Sequence, residues 1–350
     1  MRSSLGRNGS AGRRLSQQKT ALCLLATIVV AFCPGSAWPE DARISRRDFQ
    51  VSGEPGIRLF AREVREQEGP AGRPVVLIHG ARVPGLASFD LPVAGGSPAA
   101  GLALRGFDVY IMDVRGYGRS TRPREMDEPV SAHPVLVRSN EAARDIGSVV
   151  DWIRLRRKLS QVGAVRLGDG GQWAGYYASL YPEKISALIL LNSLYGGSFA
   201  HSMVGHGSDL EDPAHPGRFN RAACGAYNFS DQKPLFRAWD RSIPVEDKSS
   251  WRDPAVTKAY AEAALATDPS SHTRTPPSFR APCGALEDSF YLATGRQLWD
   301  ASLITAPTLI LAAERDFWSR PDDRELLQQQ LVHTVREKVV VLPNATHFVH

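Results

Sequence analysis

Cysteine is scarce in this sequence, with four residues in 350, and two of these lie near the N terminus. Such a low content excludes a small scaffold held together by many disulfides. The other two, Cys224 and Cys283, lie in the same irregular stretch of the chain. We predict that they form a disulfide, with two separate buried thiols as the alternative.

Metal-binding and phosphate-binding patterns are also missing. The glycines at 168–171 do not complete a dinucleotide-binding G-x-G-x-x-G, because Trp173 occupies the position of the last glycine. We therefore expect no metal and no cofactor. Four histidines lack the spacing of zinc ligands and are predicted to be surface or lid residues: His201, His206, His215 and His272.

The chain has no excess charge outside its N-terminal region. Five of its 42 Lys and Arg residues fall within residues 1–37, which contain no Asp or Glu, and the remaining 37 match the 37 acidic residues. A polyanion such as nucleic acid is therefore not an expected partner. Nothing in the sequence predicts the oligomeric state.

The apolar run of the N-terminal region is too short to span a bilayer comfortably. It covers Ala21–Cys33, follows a basic segment that ends at Lys19, and precedes the small residues Gly35-Ser36-Ala37. This order is typical of a secretion signal with a cleavage site after Ala37. We predict that residues 1–37 are a signal peptide, that the protein is exported, and that the mature chain has no membrane partner.

Continuous apolar segments recur along the chain and alternate with helical segments. Such runs are typical of parallel strands buried on both faces, and the intervening helix Asn140–Arg156 has an apolar stripe at helical spacing. The alternation predicts an α/β fold with a doubly wound, mostly parallel sheet. The predicted strands are Asp48–Val51, Ile57–Val64, Pro74–Ile78, Phe107–Asp113, Val162–Leu167, Ala187–Leu191, Thr308–Ala312 and Lys338–Leu342.

This alternation stops between Ser193 and about Ser302. We therefore predict an α/β core formed by residues 38–193 and 303–350, with residues 194–302 inserted as a partly helical cap. Within the cap, Leu194–Ile243 is predicted to be loop-like, whereas Pro254–Ala266 and Glu287–Trp299 are predicted to be helices. Its aromatic residues, which include Tyr227, Tyr260 and Tyr291, are expected mainly to pack the core of the cap, with the lining of a pocket as the alternative.

Five short motifs follow successive predicted strands in a fixed order. They are His79-Gly80, Asp113-x-Arg-Gly-x-Gly-x-Ser120, the glycine turn between strand and helix within Val162–Tyr181, Glu314-Arg315-Asp316, and Asn344-Ala345-Thr346-His347-Phe348. In this order and spacing they resemble the capped α/β-hydrolase superfamily over nearly all of residues 48–350. The resemblance implies a small-molecule hydrolase with a nucleophile, a histidine base and an orienting acid.

The resemblance also implies a role for individual residues. Asp316 corresponds to the acid, and His347 corresponds to the base. The backbone N–H groups of Ala81 and of Gly170, the residue after the candidate nucleophile, correspond to the oxyanion hole. Asp113 and the residues that follow it are instead interpreted as a structural turn.

The nucleophile turn lacks the serine of the usual G-x-S-x-G pattern. Counting back from Tyr181-Pro182 places Gly168 at the nucleophile position, and glycine has no group that can attack. The next residue, Asp169, resembles the carboxylate nucleophile of haloalkane dehalogenases and epoxide hydrolases, which forms an ester that water then hydrolyses. The alternative is that Asp169 caps the following helix. Arg166, in a strand predicted to be buried, needs a carboxylate partner, and Asp169 is a candidate.

Two classes of function stay open. The first is an exported hydrolase of a small, fairly apolar ester, epoxide or halide, with Asp169, His347 and Asp316 as its catalytic residues, or with His347 and Asp316 activating water directly. The second is an inactive or non-covalent relative that binds a small ligand in the same pocket. The resemblance further implies a closing helix beyond His347, which the 350 residues do not contain, so a longer natural chain is an additional expectation.

Overall fold

The computed structural model describes residues 43–166 and 171–348. The predicted signal peptide and the turn residues Gly168, Asp169 and Gly170 lie outside the described residues. Within the described ranges, no helix is both long enough and apolar enough to cross a membrane. Ten strands are described: β1 Ile44–Ser52, β2 Arg58–Glu66, β3 Arg73–Ile78, β4 Phe107–Met112, β5 Val162–Arg166, β6 Ile185–Leu191, β7 Tyr227–Ser230, β8 Phe279–Pro282, β9 Thr308–Arg315 and β10 Glu337–Thr346.

Eight of these strands form one sheet in the order β1-β2-β4-β3-β5-β6-β9-β10. The strands from β4 to β10 in this order run parallel, whereas β2 is antiparallel to both β1 and β4. The predicted mostly parallel sheet is therefore confirmed. Since β3, β5, β6, β9 and β10 share one direction, the segments that follow them meet at one edge.

Both faces of the sheet are buried, which explains the continuous apolar runs. Successive side chains of a strand point to opposite faces, so Val76 and Ile78 join one core cluster while Val75 and Leu77 join another. A one-sided sheet would have produced alternating polar residues instead. The helices that flank the sheet are α1 Gly85–Phe89, α2 Pro98–Ala103, α3 Ser139–Arg157, α4 Gly171–Leu180 and, later in the chain, Pro321–Gln330.

Helix α3 confirms the predicted amphipathic segment. It starts where the Arg138 N–H donates to the Glu141 carboxylate at 3.1 Å, and it ends at Lys158, which has a positive φ of 53°. The predicted stripe is buried at all five positions, Ala142, Ile146, Val149, Val150 and Ile153.

The segment between β6 and β9 contains more regular structure than predicted. Strands β7 and β8 pair antiparallel. The segment also contains three helices, α5 Gln232–Ser242, α6 Pro254–Ala266 and α7 Gly284–Ala293. Helix α6 confirms its prediction. The loop-like prediction for Leu194–Ile243 is wrong at β7 and α5. The predicted helix Glu287–Trp299 is wrong at both ends. The observed helix begins earlier, at Gly284, and it ends earlier, at Ala293, because Gly295, with a φ of 84°, follows its last turn.

Cap and core are joined at the start of the last flanking helix, α8 Pro321–Gln330. The buried Asp323 carboxylate accepts the backbone N–H groups of Tyr195, Gly196 and Gly197 at 2.9, 2.9 and 3.0 Å. Arg320 donates to the same carboxylate at 2.7 Å. The Arg320 guanidinium also donates to four cap carbonyl groups, those of Ser198, Ala200, Leu292 and Ala293.

The two cysteines outside the N-terminal region, Cys224 and Cys283, are bonded to each other in the structure. Their Cα atoms are 6.0 Å apart, and 59 positions separate them in the sequence. The bond connects the loop before β7 to the residue that precedes α7, and so closes most of the cap into a single covalent loop.

Replacing both cysteines, Cys224→Ser with Cys283→Ser, is expected to lower the free energy of unfolding by about 2–4 kcal/mol, because the unfolded chain loses a long loop closure. Urea denaturation of both proteins, with and without reductant, measures the change. Reductant should bring the wild-type midpoint to that of the variant. Equal midpoints for oxidised wild type and variant would show that the bond does not contribute to stability.

Candidate active site

Asp316 and His347 meet at the edge of the sheet where β9 and β10 end. The two strands are parallel neighbours, so the residues that follow them lie side by side. His347 Nδ1 is 2.6 Å from Asp316 Oδ1, and the two side chains are only 3% and 2% exposed. The structure therefore brings together the two residues that the sequence assigned to acid and base.

The Asp316 carboxylate is fixed by the turn that follows it. Oδ1 accepts the Trp318 N–H at 3.0 Å, and Oδ2 accepts the Ser319 N–H at 2.8 Å together with the Ser319 hydroxyl. Because the Asp316 carboxylate only accepts hydrogen bonds, Nδ1 of His347 carries the proton and donates it to Oδ1. This tautomer makes Nε2 of His347 the nitrogen that can accept a proton from a reactant.

Aromatic rings enclose the histidine. Phe317 lies 4.8 Å from the His347 ring, centroid to centroid, and Phe348 lies 5.3 Å from it. The Phe348 ring stacks at 4.5 Å on Trp239 of cap helix α5 and lies 6.4 Å from Tyr260 of α6. His347 and Phe348 therefore lie next to an apolar wall to which the cap contributes Trp239 and Tyr260.

Only one of the three cap tyrosines singled out from the sequence lies against this wall, namely Tyr260. Tyr227 donates its hydroxyl to the Glu128 carbonyl at 2.8 Å. Tyr291 lies under the Arg296 guanidinium, 4.8 Å from its ring centroid.

The loop after β3 is fixed by His79. This fully buried ring accepts the Val114 N–H on Nε2 at 3.1 Å, so its Nδ1–H donates to the Gly80 carbonyl, 2.6 Å away. The carbonyl of Ala81 in turn accepts the Tyr117 hydroxyl at 2.7 Å. These bonds fix the orientation of the peptide groups around Ala81, and its role as an oxyanion donor stays a prediction.

The predicted nucleophile turn joins β5 to α4. β5 pairs with β3 on one side and β6 on the other, so its described end at Arg166 lies between the strand that precedes the Ala81 loop and β6. The Gly168, Asp169 and Gly170 predictions fall outside the described residues. The structure does not describe the Arg166 side chain, and the predicted pairing with Asp169 stays a prediction.

The motif that begins at Asp113 forms a structural turn, as the sequence suggested. The buried carboxylate accepts the N–H groups of Gly85 and Arg119 at 2.8 and 2.9 Å, and burial raises the pKa of Asp113. Gly118 has a φ of 51°, and a Cβ there would lie 2.0 Å from Asp113 Oδ2. Glycine is required at this position by the close approach.

His201 lies within the cap, one of the two places expected for it, and not at the surface. It is 8% exposed, and burial lowers its pKa. Its Nε2–H donates to the Trp318 carbonyl at 3.0 Å, while Nδ1 accepts the Met203 N–H at 3.2 Å. His201 therefore supports the turn that holds Asp316. In the described parts of the chain, no group of three or more His, Cys, Asp or Glu side chains is arranged to bind a metal.

Sequence reasoning missed two polar residues around the acid and the base. Ser319 binds the Asp316 carboxylate, and Asn192 donates its side-chain N–H to the His347 carbonyl at 2.9 Å. A signal for Asn192 was present, because a polar residue directly after a buried parallel strand lies at the edge where ligands bind in α/β sheets.

A mostly parallel eight-stranded sheet, a cap inserted between β6 and β9, and an acid–histidine pair at the carboxyl edge define the class of the α/β hydrolases. The chain belongs to the alpha/beta hydrolase fold family, whose model matches residues 73–350.

Individual relatives share only part of their sequence with this chain. The chain is 31% identical over 176 residues to the abhydrolase domain-containing protein abhd-5.2 of Caenorhabditis elegans. The matched region covers 45% of this chain and 35% of the length of that relative. A laboratory-evolved variant, R-C1B1, of potato epoxide hydrolase has a TM-score of 0.55 at 19% identity, covering 87% of this chain and 94% of the other. The thioesterase domain from the curacin biosynthetic pathway has a TM-score of 0.52 at 18% identity, covering 87% and 95%. At these identities the solved structures show the fold alone.

Proposed function

We propose that the protein is an exported hydrolase of a small, fairly apolar substrate, with His347 as general base and Asp316 as the acid that orients it. The observation that supports the proposal is the buried 2.6 Å contact between His347 Nδ1 and Asp316 Oδ1. This contact lies beside the aromatic wall of the cap. Export is inferred from residues 1–37 of the sequence.

Asp169 is the proposed nucleophile for an epoxide or a halide. Its carboxylate attacks the substrate carbon, the carbon–oxygen or carbon–halogen bond breaks, and the leaving atom takes the bonding electrons. His347 Nε2 then removes a proton from water, which attacks the carbonyl carbon of the new ester. The N–H groups of Ala81 and Gly170 stabilise the resulting oxyanion. Collapse releases the alcohol, which takes the proton from His347, and leaves Asp169 as a carboxylic acid. This acid loses its proton to solvent, which restores the carboxylate, and the alkoxide formed by opening an epoxide takes one proton from solvent.

An ester substrate follows a shorter route at the same site. Water activated by His347 Nε2 attacks the ester carbonyl directly, and the protonated imidazole returns its proton to the departing alcohol. This route needs no side chain at position 168 or 169, so it is compatible with the missing serine.

A second candidate function is binding without covalent catalysis. The observation that favours it is Gly168, which occupies the expected nucleophile position and has no group that can attack. In that case the protein binds a small apolar ligand beside Trp239 and Phe348 and does not convert it.

Trapping of a covalent intermediate tests the proposed nucleophile. His347→Gln should accumulate an ester on Asp169 when mixed with an epoxide or alkyl halide, because attack proceeds while hydrolysis stops. Intact-protein mass spectrometry after acid quenching should show the added mass, and peptide mapping should place it on Asp169.

Asp169→Asn in the same His347→Gln background is the matched control and should carry no adduct. Absence of the adduct, with ester hydrolysis that still depends on His347, would contradict the nucleophile and support the direct-water route. If no substrate is converted and Gly168→Ser gains esterase activity, the binding function replaces the proposal.

A further inference from the structure

Asn192 occupies an unusual position at the centre of the carboxyl edge. It follows β6 directly, it is fully buried, and its φ is 51°. Among residues other than glycine, asparagine adopts this left-handed conformation most readily. Its backbone N–H donates to the Leu311 carbonyl of β9 at 2.9 Å, which extends the pairing of the two strands past the end of β6.

The Asn192 side chain joins the two segments that carry the acid and the base. Its Oδ1 accepts the Ala313 N–H at 2.8 Å, three residues before Asp316. Its Nδ2 donates to the His347 carbonyl at 2.9 Å. One amide group thus contacts both backbones whose side chains meet at 2.6 Å.

The chemistry of these two contacts selects an amide. The Ala313 N–H requires an acceptor and the His347 carbonyl requires a donor, and only a side chain with both groups satisfies them. Aspartate has the same shape but no donor, so it would put a carboxylate oxygen against the His347 carbonyl. Burial makes this mismatch costly, because water cannot replace the lost bond.

We infer that Asn192 is a positioning residue that sets the separation and orientation of His347 and Asp316. Its effect on rate rests on the proposed hydrolase function, whereas its effect on the His–Asp geometry does not. The position of the His347 backbone determines where Nε2 lies, and a misplacement of about 1 Å at a reacting group can cost up to about 100-fold in rate.

Two variants test the inference in the full chain. Asn192→Asp keeps the shape and removes the donor, while Asn192→Gly removes the side chain and tolerates the positive φ, so the variant should fold. Asn140→Asp is the control, because Asn140 is an exposed asparagine at the start of α3, far along the chain from the pair. Circular dichroism and thermal melting first establish that each protein is folded.

The readout that does not depend on activity is the downfield proton resonance of the His347 Nδ1–H, which a short His–carboxylate hydrogen bond produces. We expect this resonance in the wild type and in Asn140→Asp, and its loss or an upfield move in both Asn192 variants. With an ester or epoxide substrate, kcat should fall about 10–100-fold while KM stays within about twofold.

Retention of the resonance and of kcat in folded Asn192→Asp and Asn192→Gly would overturn the inference. If the resonance changes as expected but no folded protein, wild type included, hydrolyses any substrate, the positioning role stands and the proposed function fails. The two failures are therefore distinguishable.

Discussion

Replacing His347 by alanine is expected to lower the rate of ester hydrolysis by about 10²–10⁴-fold, the contribution typical of a positioned general base. The expectation follows from the buried contact with Asp316, which gives His347 a fixed tautomer and directs Nε2 away from the acid. Steady-state kinetics on a panel of small esters and epoxides measures kcat/KM. Asp316→Asn should also lower kcat/KM strongly, because an amide that donates to Nδ1 would favour the wrong tautomer.

The chain provides a matched control for this pair. His215 and Asp212 also form a His–Asp contact, with Nδ1 3.0 Å from the carboxylate, but the His215 side chain is 60% exposed. His215→Ala removes an imidazole of the same kind in the cap and should leave kcat/KM within about twofold, since exposed substitutions usually have small effects. Equal losses in His215→Ala and His347→Ala would contradict a specific role for His347.

Sequence patterns predicted the sheet well because its strands are buried on both faces. Segments such as Val75–Ile78 have no polar face. This property can be recognised in the sequence without knowing which strands lie beside them. The pairing of Asp316 with His347 followed from the order of motifs, since both residues come directly after strands that a parallel sheet aligns.

The cap and the supporting contacts were less predictable, for physical reasons. Helix α5 buries Leu235 and Trp239, but Lys233, Arg237 and Arg241 alternate with them along the sequence. Its short apolar stripe was therefore hard to recognise between the charged residues. Contacts such as that between Asn192 and His347 join residues 155 positions apart. Local patterns contain no information on which backbone carbonyl a distant amide will meet.

Asp323→Asn is expected to destabilise the protein by about 3–5 kcal/mol, the cost typical of breaking a buried ion pair from one side. Asp323 is fully buried and accepts three hydrogen bonds from the backbone of Tyr195–Gly197 and three from Arg320. Without the carboxylate charge, Arg320 keeps its own charge in a largely buried setting, where the four cap carbonyl groups and the amide oxygen at position 323 are neutral acceptors. Urea denaturation measures the change, and proteolysis within the cap should accelerate.

The pH dependence of the unfolding free energy distinguishes the Asp323–Arg320 ion pair from an effect of packing. Burial by itself would raise the pKa of Asp323, but the hydrogen bonds and charge of Arg320, together with the N–H groups of Gly197 and Tyr195, lower it below its usual value. A carboxyl group whose pKa is lower in the folded state stabilises the protein above the unfolded pKa, about 3.9 for Asp, and this stabilisation disappears as the pH falls through the folded value.

The difference in unfolding free energy between wild type and Asp323→Asn should therefore be constant near neutral pH. It should shrink below about pH 4, where Asp323 of the unfolded wild-type chain begins to be protonated while the folded protein still holds the carboxylate. Asp322→Asn is the control, because Asp322 is the exposed neighbour on the same helical turn and should change stability by less than about 0.5 kcal/mol at any pH. A difference that persists unchanged into acid would mean that Asp323 acts through its shape and its accepted N–H bonds. In that case the charge of Arg320 would not be what holds the two ends of the cap on the core.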